Sequence, residues 1–216
     1  MGHALALIPS RWGVHRSIDA MFEFESSCWS QGLQHVAGLD EVGYGAIAGP
    51  VAAAAVILPP DTRIEGVRDS KQIGSVKQRE RLYDLIHEQA WDVGVGLCSP
   101  AEIDEINVLQ AALKAMLRAI ENLTLKPQHL LIDGIHRLPE APCSQTTIKG
   151  GDNRSHTIAA ASIIAKVSRD RIMRKLHLEH PEYGWITNVG YKSVKHREAL
   201  SIHGPTRHHR QSFTLL

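Results

Sequence analysis

Long apolar runs are missing from this chain: the longest uninterrupted one is Val51 to Leu58, far short of the ~20 residues a membrane span needs. Cysteine is scarce. Cys28, Cys98 and Cys143 are widely spaced and form no CxxC pair, which argues against a disulfide framework or a zinc knuckle and for a reducing compartment. The only apolar stretch near the N-terminus is Ala4 to Ile8, followed by Pro9 and Arg11, too short for a secretory signal. A cytoplasmic protein with no membrane partner is therefore expected. No internal repeat and no low-complexity tract is present. No GxxxxGK or GxGxxG opens a helix, which disfavours a generic nucleotide-binding α/β protein.

What is there fits a globular chain. Its 216 residues are 43% apolar and 22% charged, which excludes collagen, coiled coil and disorder, and the length suffices to bury a full core. The net charge of +1 conceals an asymmetry. Residues 1–140 hold 12 Lys and Arg against 18 Asp and Glu, a balance of −6, while residues 141–216 hold 12 against 5, a balance of +7. The basic part also carries seven of the 13 histidines. A basic face suits a polyanion, because each phosphate it neutralises releases counterions; a solvated basic helix without a partner is the alternative.

Hydrophobic spacing predicts alternating strands and helices. Residues 1–20 read as a loose leader, and Met21 to Gly32 as a short helix. Val36 to Asp40 reads as a strand entering a turn at Gly43-Tyr44-Gly45, and Val51 to Leu58 as a fully buried strand closed by Pro59-Pro60. Ser75 to Ala90 reads as a helix and Trp91 to Cys98 as a strand. Ser99-Pro100 opens one long amphipathic helix with Ile103, Ile106, Leu109, Leu113, Met116, Leu117 and Ile120 at helical spacing. Short strands are expected at His129 to Asp133 and Thr146 to Ile148, a long helix over Ser155 to Leu178, and a last helix over Val194 to His203. The short gap between the first two strands predicts an antiparallel pair. The strand ending at Asp133 follows helical crossovers and is expected to run parallel to the first. The fold class expected is α/β: three layers, a mixed central sheet flanked by helices, and a C-terminal helical segment.

Asp40 and Asp133 each end an apolar strand just before a glycine-bearing turn. On parallel neighbours the two carboxylates would meet at the carboxyl edge of the sheet, a usual place for a site. Glu41 can join only if the chain bends, because successive strand residues face opposite ways. Asp170 lies three and seven residues beyond Val167 and Ile163 on the apolar stripe of its helix, an expensive position for an ionised group. Each has a plainer reading: a strand-end aspartate often caps a turn, and Asp170 has Arg174 one turn on. Together, clustered carboxylates repel and call for a cation. Oxygen ligands suit Mg²⁺ or Mn²⁺ rather than zinc, and two such ions ~4 Å apart would serve an in-line phosphoryl displacement.

The block Gly38-Leu39-Asp40-Glu41-Val42-Gly43-Tyr44-Gly45, followed by Ala48-Gly49-Pro50-Val51, closely resembles the opening motif of the bacterial type 2 ribonucleases H, the ribonuclease HII family. The resemblance continues through Asp69-Ser70-Lys71, Leu131-Ile132-Asp133-Gly134 and Lys149-Gly150-Gly151-Asp152. It runs on through Ile158 to Asp170, Gly190-Tyr191 and His209 to Phe213, and so covers about residues 33 to 213. It implies a ribonuclease H-like catalytic domain over 33–216 behind an N-terminal extension over 1–32. It also implies a monomeric endonuclease cutting RNA in RNA–DNA hybrids and at single ribonucleotides in duplex DNA, leaving 3′-hydroxyl and 5′-phosphate ends. The family's four acidic residues are placed on Asp40, Glu41, Asp133 and Asp170. Asp170 is preferred to Asp152 for its place in the Lys-Val-Ser-Arg-Asp stretch, and Asp152 is read as a cap of the turn before the helix. Gly43, Tyr44 and Gly45 match the loop that approaches the 2′-hydroxyl, Ser70 and Lys71 the phosphate contacts, and Tyr191 the tyrosine that stacks on the neighbouring deoxyribose.

The chain departs from the family at two places. Tyr44 stands where arginine is usual, and Asn188-Val189 where His-Lys tends to precede Gly-Tyr. A tyrosine supplies no permanent cation to a phosphate. Weakened affinity or altered specificity is expected beside an intact metal site. The rival reading is a non-catalytic hybrid-binding protein on the same fold.

Overall fold

The computed structural model describes residues 21–216; the expected leader over residues 1–20 lies outside them. β1 (Val36–Val42), β2 (Val51–Ile57), β3 (Asp92–Cys98), β4 (His129–Asp133) and β5 (Ser144–Ile148) form one sheet in the order β3-β2-β1-β4-β5. β2 runs antiparallel to both β1 and β3, whereas β4 is parallel to β1 and β5 parallel to β4. The hairpin and the parallel crossover expected from the sequence are both present.

The layers follow from period-two alternation along the central strands. Ala37, Leu39, Ala53 and Ala55 face α4 (Val108–Glu121), whereas Ala54 and Val56 face α5 (His156–Glu179) and α2 (Val76–Gln89). Every residue of β2 is buried. Its run of alanines has no bulk to hold helices off, so both faces are covered closely. Gly38 marks the tightest approach of α5 to the sheet: a Cβ there would lie 2.4 Å from the Thr157 carbonyl carbon.

One element differs from expectation. The single long helix after Ser99 is two helices, α3 (Pro100–Ile106) and α4, separated at Asn107. Asn107 has φ +66° and ψ 164°, and its side-chain oxygen accepts from the amides of Leu109 and Gln110, capping α4. The apolar spacing passes through the break because α3 and α4 turn their apolar faces to the same core.

α1 (Glu23–Trp29) docks on the start of α5. The buried Glu25 carboxylate accepts from Ser155 Oγ at 2.6 Å and from the Thr157 amide at 2.9 Å, where the helix N-terminus favours a negative charge. At the other end, α6 (Trp185–Asn188) and α7 (Val194–His203) lead to a tail that returns to the β1–β2 turn, with Ala48 bridged to His209. No described helix is long and apolar enough to cross a membrane.

Candidate active site

Three carboxylates meet at the carboxyl edge of the parallel strands. Oxygens of Asp40, Asp133 and Asp152 lie within 4.8 Å of one another. Asp40 points from β1 toward α5, on the same face as Gly38, and is 4% exposed. Asp133 ends β4, and its Oδ1 accepts from the Gly151 amide at 2.6 Å. Asp152 lies in the 3₁₀ turn Gly151–Asn153, just after β5.

The cluster is electrostatically loaded. Burial, then the charges of Glu41, Asp133 and Asp152, push the Asp40 carboxyl well above its ordinary range, while Ser162 beside it pulls the other way. Asp152 is pushed up to about 6 by burial and by Asp69 and Asp133, against the opposing charge of Lys71. The Lys71 ammonium stands 3.9 Å from Asp152 Oδ2. Burial works against its charge, yet Asp40, Asp69, Asp152 and Asp133 together raise its pKa. Carboxylates gathered at this spacing present hard oxygens to a shared centre. That donor set fits an Mg²⁺- or Mn²⁺-type ion.

Glu41 belongs to the rim of this cluster. β1 continues straight through Val42, so the bend that would swing Glu41 beside Asp40 is absent. It lines a cleft of about 150 Å³ with Asp133, Tyr44 and His136, walled by Leu109, Leu113 and Met116 of α4. Burial and then the Asp133 charge raise its pKa. Asp133, at the strand end, is thus coupled to both faces of β1.

Asp170 is not brought into the cluster. Its Oδ1 accepts from Lys166 Nζ at 2.7 Å, an i,i+4 pair. It stands eight residues beyond Ser162, about 12 Å further along α5. Asp152 holds the third corner instead. Asp152 lies four residues past the end of β5, in a glycine turn that follows the strand beside Asp133, whereas Asp40 lies two residues inside the end of β1 rather than at its last position.

The expected substrate contacts divide. Tyr44 and Tyr191 are 43% and 38% exposed, and Lys71 is exposed. Ser70 is buried, accepting from Ser162 Oγ at 2.8 Å and donating its amide to the same atom at 3.3 Å; it fixes the turn that carries Lys71. A second ligand-like group, Glu179, His180 and His208, already has a cation. Arg207 Nε donates to His208 Nε2 at 3.3 Å, and its guanidinium lies 3.9 Å from Glu179.

The Ribonuclease HII family profile matches residues 37–216. Ribonuclease HII of Bacillus cereus (strain B4264) is 50% identical over 193 residues, 89% of this chain and 74% of the relative. Ribonuclease HII of Salinibacter ruber is 48% identical over 198 residues, 90% of this chain and 98% of the relative. The crystal structure of ribonuclease H2 from Pyrococcus horikoshii OT3 superposes with a TM-score of 0.68 at 29% identity, covering 82% of this chain and 93% of that one.

Proposed function

The chain belongs to the ribonuclease HII family, and from that premise we propose that Asp40, Asp133 and Asp152 hold the divalent cations of its reaction, with Glu41 joining them without a bend in β1, from the cleft it shares with Asp133. It is an endoribonuclease of RNA–DNA hybrids with the ribonuclease H-like fold. The convergence of the Asp40, Asp133 and Asp152 carboxylates within 4.8 Å supports this ligand set most directly. The chemistry of the donors favours Mg²⁺ or Mn²⁺ over softer metals. When bound, such ions polarise the scissile phosphate, supply the attacking water and stabilise the leaving oxygen.

The protein's own groups orient the duplex around that point. Lys71, on a turn held by Ser70 and Ser162, offsets the carboxylate charge and faces the phosphate backbone. The backbone of Gly43-Tyr44-Gly45 approaches the ribose 2′-hydroxyl, where small residues permit the close contact. Tyr191 offers its face to the deoxyribose beside the ribonucleotide. Cleavage on the 5′ side of the ribonucleotide leaves 3′-hydroxyl and 5′-phosphate ends. We place this activity in a single copy of the chain in the cytoplasm. The full carboxylate set disfavours the non-catalytic alternative.

The test separates Asp152 from Asp170 on a duplex carrying one ribonucleotide. With Mn²⁺ or Mg²⁺ the wild type cuts, and chelator stops it. Asp152→Asn lowers kcat by at least about a hundredfold, the scale on which loss of transition-state charge stabilisation is felt. Asp170→Asn stays within a few-fold of wild type. The reverse order of the two variants would overturn the ligand assignment.

A further inference from the structure

Two arginines lie wholly buried beneath the surface that carries Tyr44 and Tyr191. Arg169 of α5 and Arg210 of the C-terminal tail are both 0% exposed. Neither takes part in an ion pair with a carboxylate among the described residues. Their donors go to main-chain carbonyls instead. Arg169 donates from Nε to Pro50 at 2.8 Å, from Nη2 to Ala48 at 3.0 Å and from Nη1 to Val189 at 2.7 Å. Arg210 donates from Nε and Nη2 to Gly49 at 3.1 and 3.0 Å and from Nη1 to Tyr44 at 3.0 Å. A buried, unpaired charge is costly, and two side by side are costlier: burial and then Arg169 depress Arg210 to about 9. A core built for stability alone would favour apolar side chains here.

The carbonyls they grip belong to two segments far apart in sequence. One is the turn from Tyr44 to Pro50. The other is Val189, just before Gly190-Tyr191. Val189 has φ +42°, a strained position for a β-branched residue, and its carbonyl is held by Arg169. The same guanidinium lies 5.5 Å from the centre of the Tyr191 ring. The two segments also touch directly. Ile47 and Ala48 donate their amides to the Gly190 carbonyl at 2.9 and 3.1 Å, and a Cβ at Gly190 would lie 2.3 Å from the Ala48 oxygen.

We propose that Arg169 and Arg210 are positioning residues that lock the Gly43–Gly45 loop and Tyr191 into one rigid ruler, and so set the preference for a ribonucleotide flanked by deoxyribose. This rests on the substrate reading above, in which one segment meets the 2′-hydroxyl and the other the adjoining sugar. Planar guanidinium forks suit the task, because each fixes several carbonyls at defined angles where an ammonium fixes one point. Their positive charge, in direct ion pair with no carboxylate among the described residues, also lies beneath the segments that carry Tyr44 and Tyr191.

The test compares wild type, Arg169→Lys, Arg210→Lys and Val189→Gly on two substrates: a DNA duplex with one ribonucleotide and a uniform RNA–DNA hybrid. Val189→Gly loosens the held segment without removing a buried charge, so it reports even if a lysine variant folds poorly. The readout is the ratio of kcat/KM between the substrates, which is independent of the folded fraction. The proposal expects that ratio to fall about tenfold in folded variants, the scale of an orienting charge-assisted hydrogen bond lost, mainly through KM for the single ribonucleotide. An unchanged ratio in Val189→Gly and in either folded lysine variant overturns it. A wild type that cuts neither substrate with Mn²⁺ would overturn the substrate reading instead.

Discussion

His156, the first residue of α5, is fully buried. Its Nε2 accepts from the Ile64 amide at 3.2 Å, so the proton of the neutral ring sits on Nδ1, which is buried without a hydrogen-bond partner. Burial, helped by the charge of Arg63, depresses its pKa to about 4. The folded state therefore binds this proton less readily than the unfolded state. The resulting stability is fully present above pH ~6.5 and is lost as the pH falls from there through about 4. The contribution is on the order of 3 kcal/mol. His156→Gln keeps an acceptor and removes the titration, so acid unfolding curves of the variant should be flatter across that window; parallel curves would disprove the assignment. The Lys166–Asp170 pair makes a second residue-scale case. With side chains only 17% and 8% exposed, Asp170→Asn leaves a half-buried ammonium poorly compensated. It should cost about 1–3 kcal/mol in denaturant titrations while sparing cleavage.

Among the elements, the junction of α3 and α4 stores the clearest local cost. Asn107 adopts φ +66° with ψ 164°, a region nearly reserved for glycine, and offsets the strain by capping two amides. Asn107→Ala keeps the strain and loses the cap. It should destabilise the protein by about 2 kcal/mol, whereas Asn107→Gly should be close to neutral; equal losses in thermal unfolding would refute the explanation. This break was hidden from hydrophobic spacing, which reports the buried face and not the continuity of the axis. Asn before an apolar run is a cap signal, but its weight depends on whether the chain turns there. The strands were easier. β1, β2, β3 and β4 are short apolar runs bounded by glycine, proline or polar turns, and their limits agree with the alternation rule to within a residue or two.

For the whole molecule, the basic excess of residues 141–216 makes binding salt-dependent. Each phosphate contact adds roughly 0.9 to the slope of log affinity against log salt on a duplex. Tyr44 projects at the rim of the cleft beside Glu41 and Asp133 and contributes no charge there. In an Asp133→Asn background, which keeps the duplex uncut, Tyr44→Arg should tighten binding and steepen that slope by about one contact's worth. An identical slope and affinity would mean that position 44 does not face a phosphate.

The chain's local pattern determined the α/β class, the antiparallel first pair, the parallel fourth strand and the placing of Asp133 at a strand end, because periodicity and turn chemistry act between near neighbours; Asp40, expected at the end of its strand, lies two residues inside β1. It did not determine which further carboxylate completes the cluster. Asp170 carried the local mark of a buried charge, and its partner proved to be Lys166, one helical turn away. Asp152 looked like a cap, and only the pairing of β5 beside β4 brings its turn against Asp133. Likewise, Arg169 and Arg210 read as two basic residues among many until the fold buried both against the Tyr44–Pro50 turn, more than a hundred residues away in sequence. Contacts of that span depend on strand order and helix packing, which no local window of sequence contains.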